Sequence, residues 1–341
     1  MNRYFLLMVL IPIFSFTETK KGYAVLPSDK TAGKENIREF TIVENDTLNY
    51  TLKLKLDDSG RPLYFFRNIF TPVCYTNECK PVHINFYWDL LGNYERYDLP
   101  EGKVLTKIDH DEFKQEDYEK LQEILAKQNS IFADLEMEEL IAKGTDNLSD
   151  SVDAKTGATL KTIKNEVIDG AVYTCFTLWK IAYGKAVPEM LKITESYKND
   201  RMLHSFLADN NYHYQYWAME KVIGKDGKVN KPYEQDIERV ITGKNLFTAR
   251  TALQKIGNYF FSKPQKQNWL WKVYESSSYP MQIAILKKLS AIPLNQTLTE
   301  KIANGIEQSN EEQRKLKLNI LKRQTRLTEK SREILAKNTD D

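Results

Sequence analysis

Cysteine is scarce here: Cys74, Cys79 and Cys175 are the only three in 341 residues. A framework of several disulfides is excluded, and a thiolate metal site would need more Cys or His than surrounds any of them. Charge of one sign is lacking too. Lys plus Arg number 49 and Asp plus Glu 47, a net charge of +2, which gives a nucleic-acid partner no electrostatic support. Beyond the first residues no apolar stretch is long enough to cross a bilayer. A glycine-rich nicotinamide-dinucleotide fingerprint is absent, which speaks against direct NADH oxidation.

What is present fits a globular chain: 41% hydrophobic and 28% charged residues, over a length that suits two domains. Arg3 followed by the apolar run 5–16, interrupted by Pro12, has the form of a secretory signal, with cleavage expected near residues 15–17. No cysteine follows that would take a lipid anchor. An exported, periplasmic or otherwise extracytoplasmic protein is expected, with an uncleaved N-terminal anchor as the alternative. In an oxidising compartment Cys74 and Cys79 are expected to form a disulfide across the turn Tyr75-Thr76-Asn77-Glu78. Cys175, on an apolar stripe, is expected to be a buried small hydrophobe.

The order expected along the chain is a signal peptide (1–17), a polar linker (18–36), an α+β domain (37–185) and an α-helical domain (186–341). Period-two alternation predicts strands over 37–43, 50–56, 63–69 and 81–88, with 94–99 leading out of the turn at Gly92. An antiparallel sheet of four or five strands is the economical arrangement. Helices are predicted over 115–126 and 131–142. Asp109-His110-Asp111 lies between sheet and helix. His110 is a candidate general base; alternatively an aspartate caps the following helix and His110 packs beside the turn.

The stretch 152–184 organises the domain. Leu160, Ile163, Val167, Ala171, Cys175, Leu178 and Ala182 recur at spacings of three and four, which predicts one helix with an apolar face. The polar loop Asp153-Ala154-Lys155-Thr156-Gly157-Ala158-Thr159 would end at its N-terminus, where free N–H groups and the helix dipole favour an anion. The alternative is an ordinary cap by Asp153 or Thr156 with a turn at Gly157.

That loop resembles the flavinylation motif of the FMN-binding domain family, which includes the covalent-FMN subunits of sodium-pumping NADH:quinone reductases. The family pattern is Asp, two variable positions, Ser or Thr, then Gly-Ala-Thr, and Asp153, Thr156, Gly157, Ala158 and Thr159 match it. The sequence departs from many members at Lys161, where Thr or Ser is common, with Thr162 following. The resemblance implies FMN joined through its phosphate to Thr159 by a separate Mg-dependent flavin transferase that uses FAD. It further implies a redox partner, membrane-bound or exported, and a role for His110 beside the flavin ring. Phe86, Tyr87 and Trp88 are candidates to stack on that ring, although at strand spacing such residues commonly belong to a core.

After residue 185 strand signals vanish. The segments beginning at Ala218, Ala252, Ile285 and Ile320 recur at intervals of 34, 33 and 35 residues, with second helices predicted over 234–241, 267–275, 299–308 and 330–337. This resembles a HEAT-like α-solenoid, a class that presents an extended surface to a partner. His204 and His213 are isolated in the sequence. Three functions stay open: an extracytoplasmic electron carrier, an FMN-dependent reductase of small organic acceptors, and a non-catalytic scaffold on a degenerate FMN-binding fold.

Overall fold

The computed structural model describes residues 36–46, 48–74, 79–108, 110–140, 163 and 166–338. They form two compact units: residues up to Tyr87 with Tyr94–Tyr183, and Trp88–Asn93 with the chain from Gly184 onward. The fold class is α+β.

The first unit is built on an antiparallel sheet of β1 (Ile37–Val43), β2 (Asn49–Leu56), β3 (Pro62–Thr71), β4 (Val82–Trp88) and β5 (Tyr94–Asp98), in that order in space. Alternation sets the two faces. On β4, Val82, Ile84, Phe86 and Trp88 are buried, while His83, Asn85 and Tyr87 are half exposed. Leu52, Leu54 and Phe65 are fully buried on the same inner side. Helix α1 (Gln115–Ala126) packs against β5 and against α2 (Val172–Ala182). Tyr94 Oη donates to Gln122 Oε1 at 2.9 Å, and Tyr97 Oη to the Tyr118 carbonyl at 2.8 Å.

Two helix expectations are corrected. The segment 131–142 is not one helix: two 3-10 turns, Ile131–Ala133 and Met137–Glu139, replace it within the described residues. The Glu139 carboxylate accepts from the Glu136 N–H at 2.9 Å, which starts a new turn instead of continuing the old one. A continuous helix from Leu160 is also excluded. The chain turns at Asp169-Gly170, where Gly170 has φ 74°, and α2 begins only at Val172. Ile163, Val167 and Ala171 are nonetheless buried, so the expected burial holds without the helix.

The second unit is helical, with α3 (Ala186–Ser196), α4 (Asp200–Ala208), α5 (Tyr212–Val222), α6 (Glu234–Ile241), α7 (Leu246–Lys255), α8 (Pro264–Ser276), α9 (Tyr279–Leu289), α10 (Gln296–Asn304), α11 (Glu311–Arg323) and α12 (Glu329–Lys337). From α4 onward the helices form antiparallel pairs in two layers. Helices α5, α7, α9 and α11 pack side by side in one layer, and each contacts its partner, α4, α6, α8 or α10, in the other. Bonds between successive pairs recur at similar separations. Lys288 Nζ donates to the Ile256 carbonyl, Asn258 Nδ2 to the Ala291 carbonyl at 3.2 Å, and Arg323 Nη1 to the Ser290 carbonyl at 3.1 Å. At the start of the unit, buried Asp89 accepts from the Leu91 and Asn93 N–H groups, from Asn93 Nδ2 and from Asn211 Nδ2. Thr194 Oγ1 donates to the Leu90 carbonyl at 2.5 Å.

Candidate functional site

The five residues of the flavinylation-like motif, Asp153, Thr156, Gly157, Ala158 and Thr159, lie outside the described residues. Beyond them Ile163 and the chain from Glu166 are described, and these are anchored. Ile163 is fully buried, Glu166 pairs with Lys127 at 2.7 Å, and the Gly170 carbonyl accepts from the Ile108 N–H at 2.8 Å. Gly170 also approaches Lys107 so closely that an added Cβ would stand 3.3 Å from the Lys107 Cβ.

That contact brings a second sequence candidate to the same place. Residues 105–113 form a tight loop closed by the Phe113 N–H on the Leu105 carbonyl and the Lys107 N–H on the Asp111 carbonyl, both at 2.8 Å. His110 sits at its tip, exposed, with φ 67°. Non-glycine residues rarely take that conformation, and here the His110 N–H is held on the Lys107 carbonyl at 3.0 Å. Asp109 lies outside the described residues. Asp111 does not cap α1: Lys114 is the N-cap, and its N–H is held by the Asp117 carboxylate at 2.9 Å. Lys107 reaches the same carboxylate at 3.0 Å.

Cys74 and Cys79 are disulfide-bonded, with Cα atoms 6.0 Å apart. Cys175 is fully buried, and burial pushes its thiol up to about 12, so it stays protonated and unreactive. Of the three ring-stacking candidates, Phe86 and Trp88 are core residues with no exposed surface, whereas Tyr87 is on the opposite face of the sheet.

That opposite face holds an arrangement the sequence reading missed. Lys53 Nζ donates to Asn68 Oδ1 at 2.9 Å, Asn68 Nδ2 to Asn85 Oδ1 at 2.8 Å, and Asn85 Nδ2 to Asp98 Oδ1 at 2.6 Å. Glu39 pairs with Lys53 at 3.7 Å, so one polar row crosses all five strands. Every donor points the same way, from an ammonium to a carboxylate, and each bond polarises the next. Beside the row stand Tyr64, Phe66 and Tyr87, with ring centroids about 6 Å apart. Arg96 covers the Tyr87 ring at 3.7 Å. The Tyr87 hydroxyl donates to Asp98 Oδ2 at 2.8 Å, and burial together with that carboxylate raises its pKa to about 12. The signal was available in the sequence as polar residues at alternate strand positions.

On the inner side, Arg67 lies over the Tyr50 ring at 3.4 Å, and Tyr50 Oη donates to Glu44 Oε2 at 2.9 Å. Burial pulls the guanidinium pKa down, opposed by Tyr50 and Glu44.

In the helical unit His204 is not isolated. Its Nδ1 lies 2.7 Å from Asp236 Oδ2, and its ring packs on Tyr233 at 4.6 Å. Asp236 is buried and also pairs with Arg239. No nucleophile joins this pair among the hydrogen bonds of the described residues, so it is a helix-to-helix tie between α4 and α6. His213 packs on the Tyr212 ring at 4.0 Å. Among the described residues no group of three His, Cys, Asp or Glu side chains is placed to hold a metal, and no helix is long and apolar enough to cross a membrane.

Comparison of the chain with protein-family models, with curated protein sequences and with solved structures finds no match.

Proposed function

We propose that this chain is an exported flavoprotein that carries FMN in phosphoester linkage on Thr159 and relays electrons outside the cytoplasm. Its helical unit, on this reading, is a HEAT-like array that docks a redox partner. The observation that carries the proposal is the complete motif Asp153, Thr156, Gly157, Ala158, Thr159. Attachment needs a flavin transferase, and Mg²⁺ serves that enzyme alone.

Three features of the described residues support the reading. Thr159 precedes buried Ile163 by four residues in sequence, a length of chain that spans at most about 14 Å. The loop bearing His110 is bonded to Gly170 on the same run of chain, which leaves an exposed imidazole available to a flavin ring or phosphate, while Lys107 is held on Asp117. The Cys74–Cys79 bond suits an oxidising compartment. The expectation of a helix N-terminus at Thr159 is not part of the support, because the described helix starts at Val172.

FMN, when bound, supplies one- and two-electron transfer. The chain's part is to tether it, to orient it, and to prevent its loss by dilution. For the docking role, the support is the two-layered stacking of helix pairs from α4 onward, which leaves one long edge per layer to a partner.

The test is the intact mass of the mature protein co-expressed in the periplasm with an active flavin transferase, beside Thr159→Ala. A gain of one FMN less water that disappears in the variant is expected. No gain, with the transferase active on a control substrate, rules the proposal out.

A further inference from the structure

Helices α5, α7 and α9 run parallel. Their C-terminal ends are tied together by the Gly257 N–H on the Gly227 carbonyl at 2.8 Å, by Lys288 on the Ile256 carbonyl and by Asn258 on the Ala291 carbonyl. Their N-terminal ends therefore share the opposite edge of the layer. Each of these three ends carries an aromatic residue turned to solvent: Tyr212 is 45% exposed, Phe247 74% and Tyr279 43%. In α11 the position is taken by Glu312, which accepts from Tyr279 Oη at 2.6 Å. Aromatic residues left this exposed at three successive equivalent positions are not explained by the core of the array.

Between the second and third of these ends lies a cleft of about 210 Å³. Its apolar lining includes Leu246, Val273 and Met281, and its polar lining includes Thr242, Ser277 and Lys244. Lys244 is the only charged residue lining it, and among the described residues it forms no ion pair. The cleft opens between the α6–α7 and α8–α9 turns, where the C-terminal ends of α6 and α8 meet the N-terminal ends of α7 and α9, so the helix dipoles oppose one another and Lys244 supplies the charge. Residues 184–341 hold 27 Lys and Arg against 18 Asp and Glu, a net charge of +9 that the near-neutral whole chain conceals.

We infer that this edge is a docking surface for an acidic, extended protein segment. One large apolar side chain of that segment would enter the cleft, a flanking carboxylate would meet Lys244, and the backbone would run across Phe247 and Tyr279. The inference rests on the docking role proposed for the helical unit and names the edge and the chemistry of its partner. A nucleic acid is the poorer fit, because among the described residues Lys244 is the one cation lining the cleft, where a phosphate backbone would need a row of them. A lipid surface is poorer too, because the aromatics stand on separate helix ends and not on one continuous apolar face.

The test pans a displayed random-peptide library on the mature full-length chain carrying Thr159→Ala, so that the outcome does not depend on flavin. Enriched peptides are then synthesised with a fluorescent label and titrated. Enrichment of large apolar residues flanked by Asp or Glu is expected, with binding weakened about tenfold or more by Lys244→Glu and by Phe247→Ala, and weakened by added salt. Phe247 is mostly in solvent, so its truncation leaves the fold intact, which unchanged helical circular dichroism checks. No enrichment, or acidic peptides insensitive to both substitutions, overturns the inference. Enriched basic or uncharged peptides that both substitutions abolish overturn the acidic partner while leaving the docking role standing. Binding of single-stranded DNA or of anionic vesicles through these residues, without peptide binding, overturns the inference as well.

Discussion

Asn68 and Asn85 face each other across β3 and β4, Nδ2 of the first donating to Oδ1 of the second at 2.8 Å. Because each amide then accepts on one side and donates on the other, this bond joins the Lys53 end of the sheet to the Asp98 end. The outer face is thus held by a directed row of side chains as well as by backbone pairing.

Asn85→Ala breaks that row at its centre and is expected to cost about 1–2 kcal/mol, since it leaves an Asn68 donor and an Asp98 acceptor without their partner. Asn85→Asp is expected to cost at least as much at neutral pH. It removes the donor and sets a second carboxylate against Asp98, a penalty that acid relieves. Urea unfolding at two pH values measures both. A double cycle with Asn68→Ala that showed strict additivity would mean that the two amides act independently.

The Tyr87 hydroxyl, raised to about 12 by burial and by Asp98, keeps its proton where an unfolded tyrosine, near 10, has lost it. Its contribution to stability is therefore complete below about pH 10 and is lost as pH rises through about 12. Tyr183, raised by burial to about 12, acts in the same direction. Absorbance titration of phenolate is expected to show these tyrosines ionising late, with Tyr87→Phe removing one of the late transitions. The urea midpoint is expected to fall between pH 9 and pH 11.

Gly227 and Gly102 form a matched pair of substitutions. Both have positive φ, 76° and 72°. At Gly102 an added Cβ meets nothing within 4 Å, so Gly102→Ala is expected to cost only the left-handed penalty of about 1 kcal/mol. At Gly227 the added Cβ stands 2.4 Å from the Gly257 nitrogen, where backbone must move. Gly227→Ala is expected to cost about 3 kcal/mol or more, read as the urea midpoint of the helical signal.

Thiol counting checks the cysteines. The native chain is expected to expose no reactive thiol and the urea-unfolded chain one, that of Cys175. Replacing Cys74 and Cys79 together by Ala is expected to lower stability by about 2 kcal/mol, the loop-closure value for so short a ring.

The strands were legible because one face is buried and the other is not, so apolar residues alternate through Val82, Ile84 and Phe86. Individual helices of the second unit were legible from apolar spacing, and the expected 234–241 helix coincides with Glu234–Ile241. The failures have local causes. Ile163, Val167 and Ala171 keep helical spacing because each packs inward, yet the Asp169-Gly170 turn interrupts any helix. Segment 131–142 shows apolar spacing too, but the carboxylates of Glu136 and Glu139 crowd what would be its C-terminal half, where the helix dipole disfavours them. The row from Lys53 to Asp98 involves four strands at once, and its register exists only after the sheet has formed. The motif at Asp153 to Thr159 was legible as a pattern, and its chemistry rests on the mass measurement.

The bonds that join α5 to α7, α7 to α9 and α9 to α11 each reach only the next pair along. Such an assembly has no keystone. Its first pair is tied by Asp89, which arrives from a distant part of the sequence. Loss of any one pair under heat or pulling should therefore open the array like a zip, each loss exposing the helix pair next to it. Partners gripping the Tyr212–Phe247–Tyr279 edge would clasp three teeth of that zip together, so occupancy of the edge would be felt as resistance to unravelling.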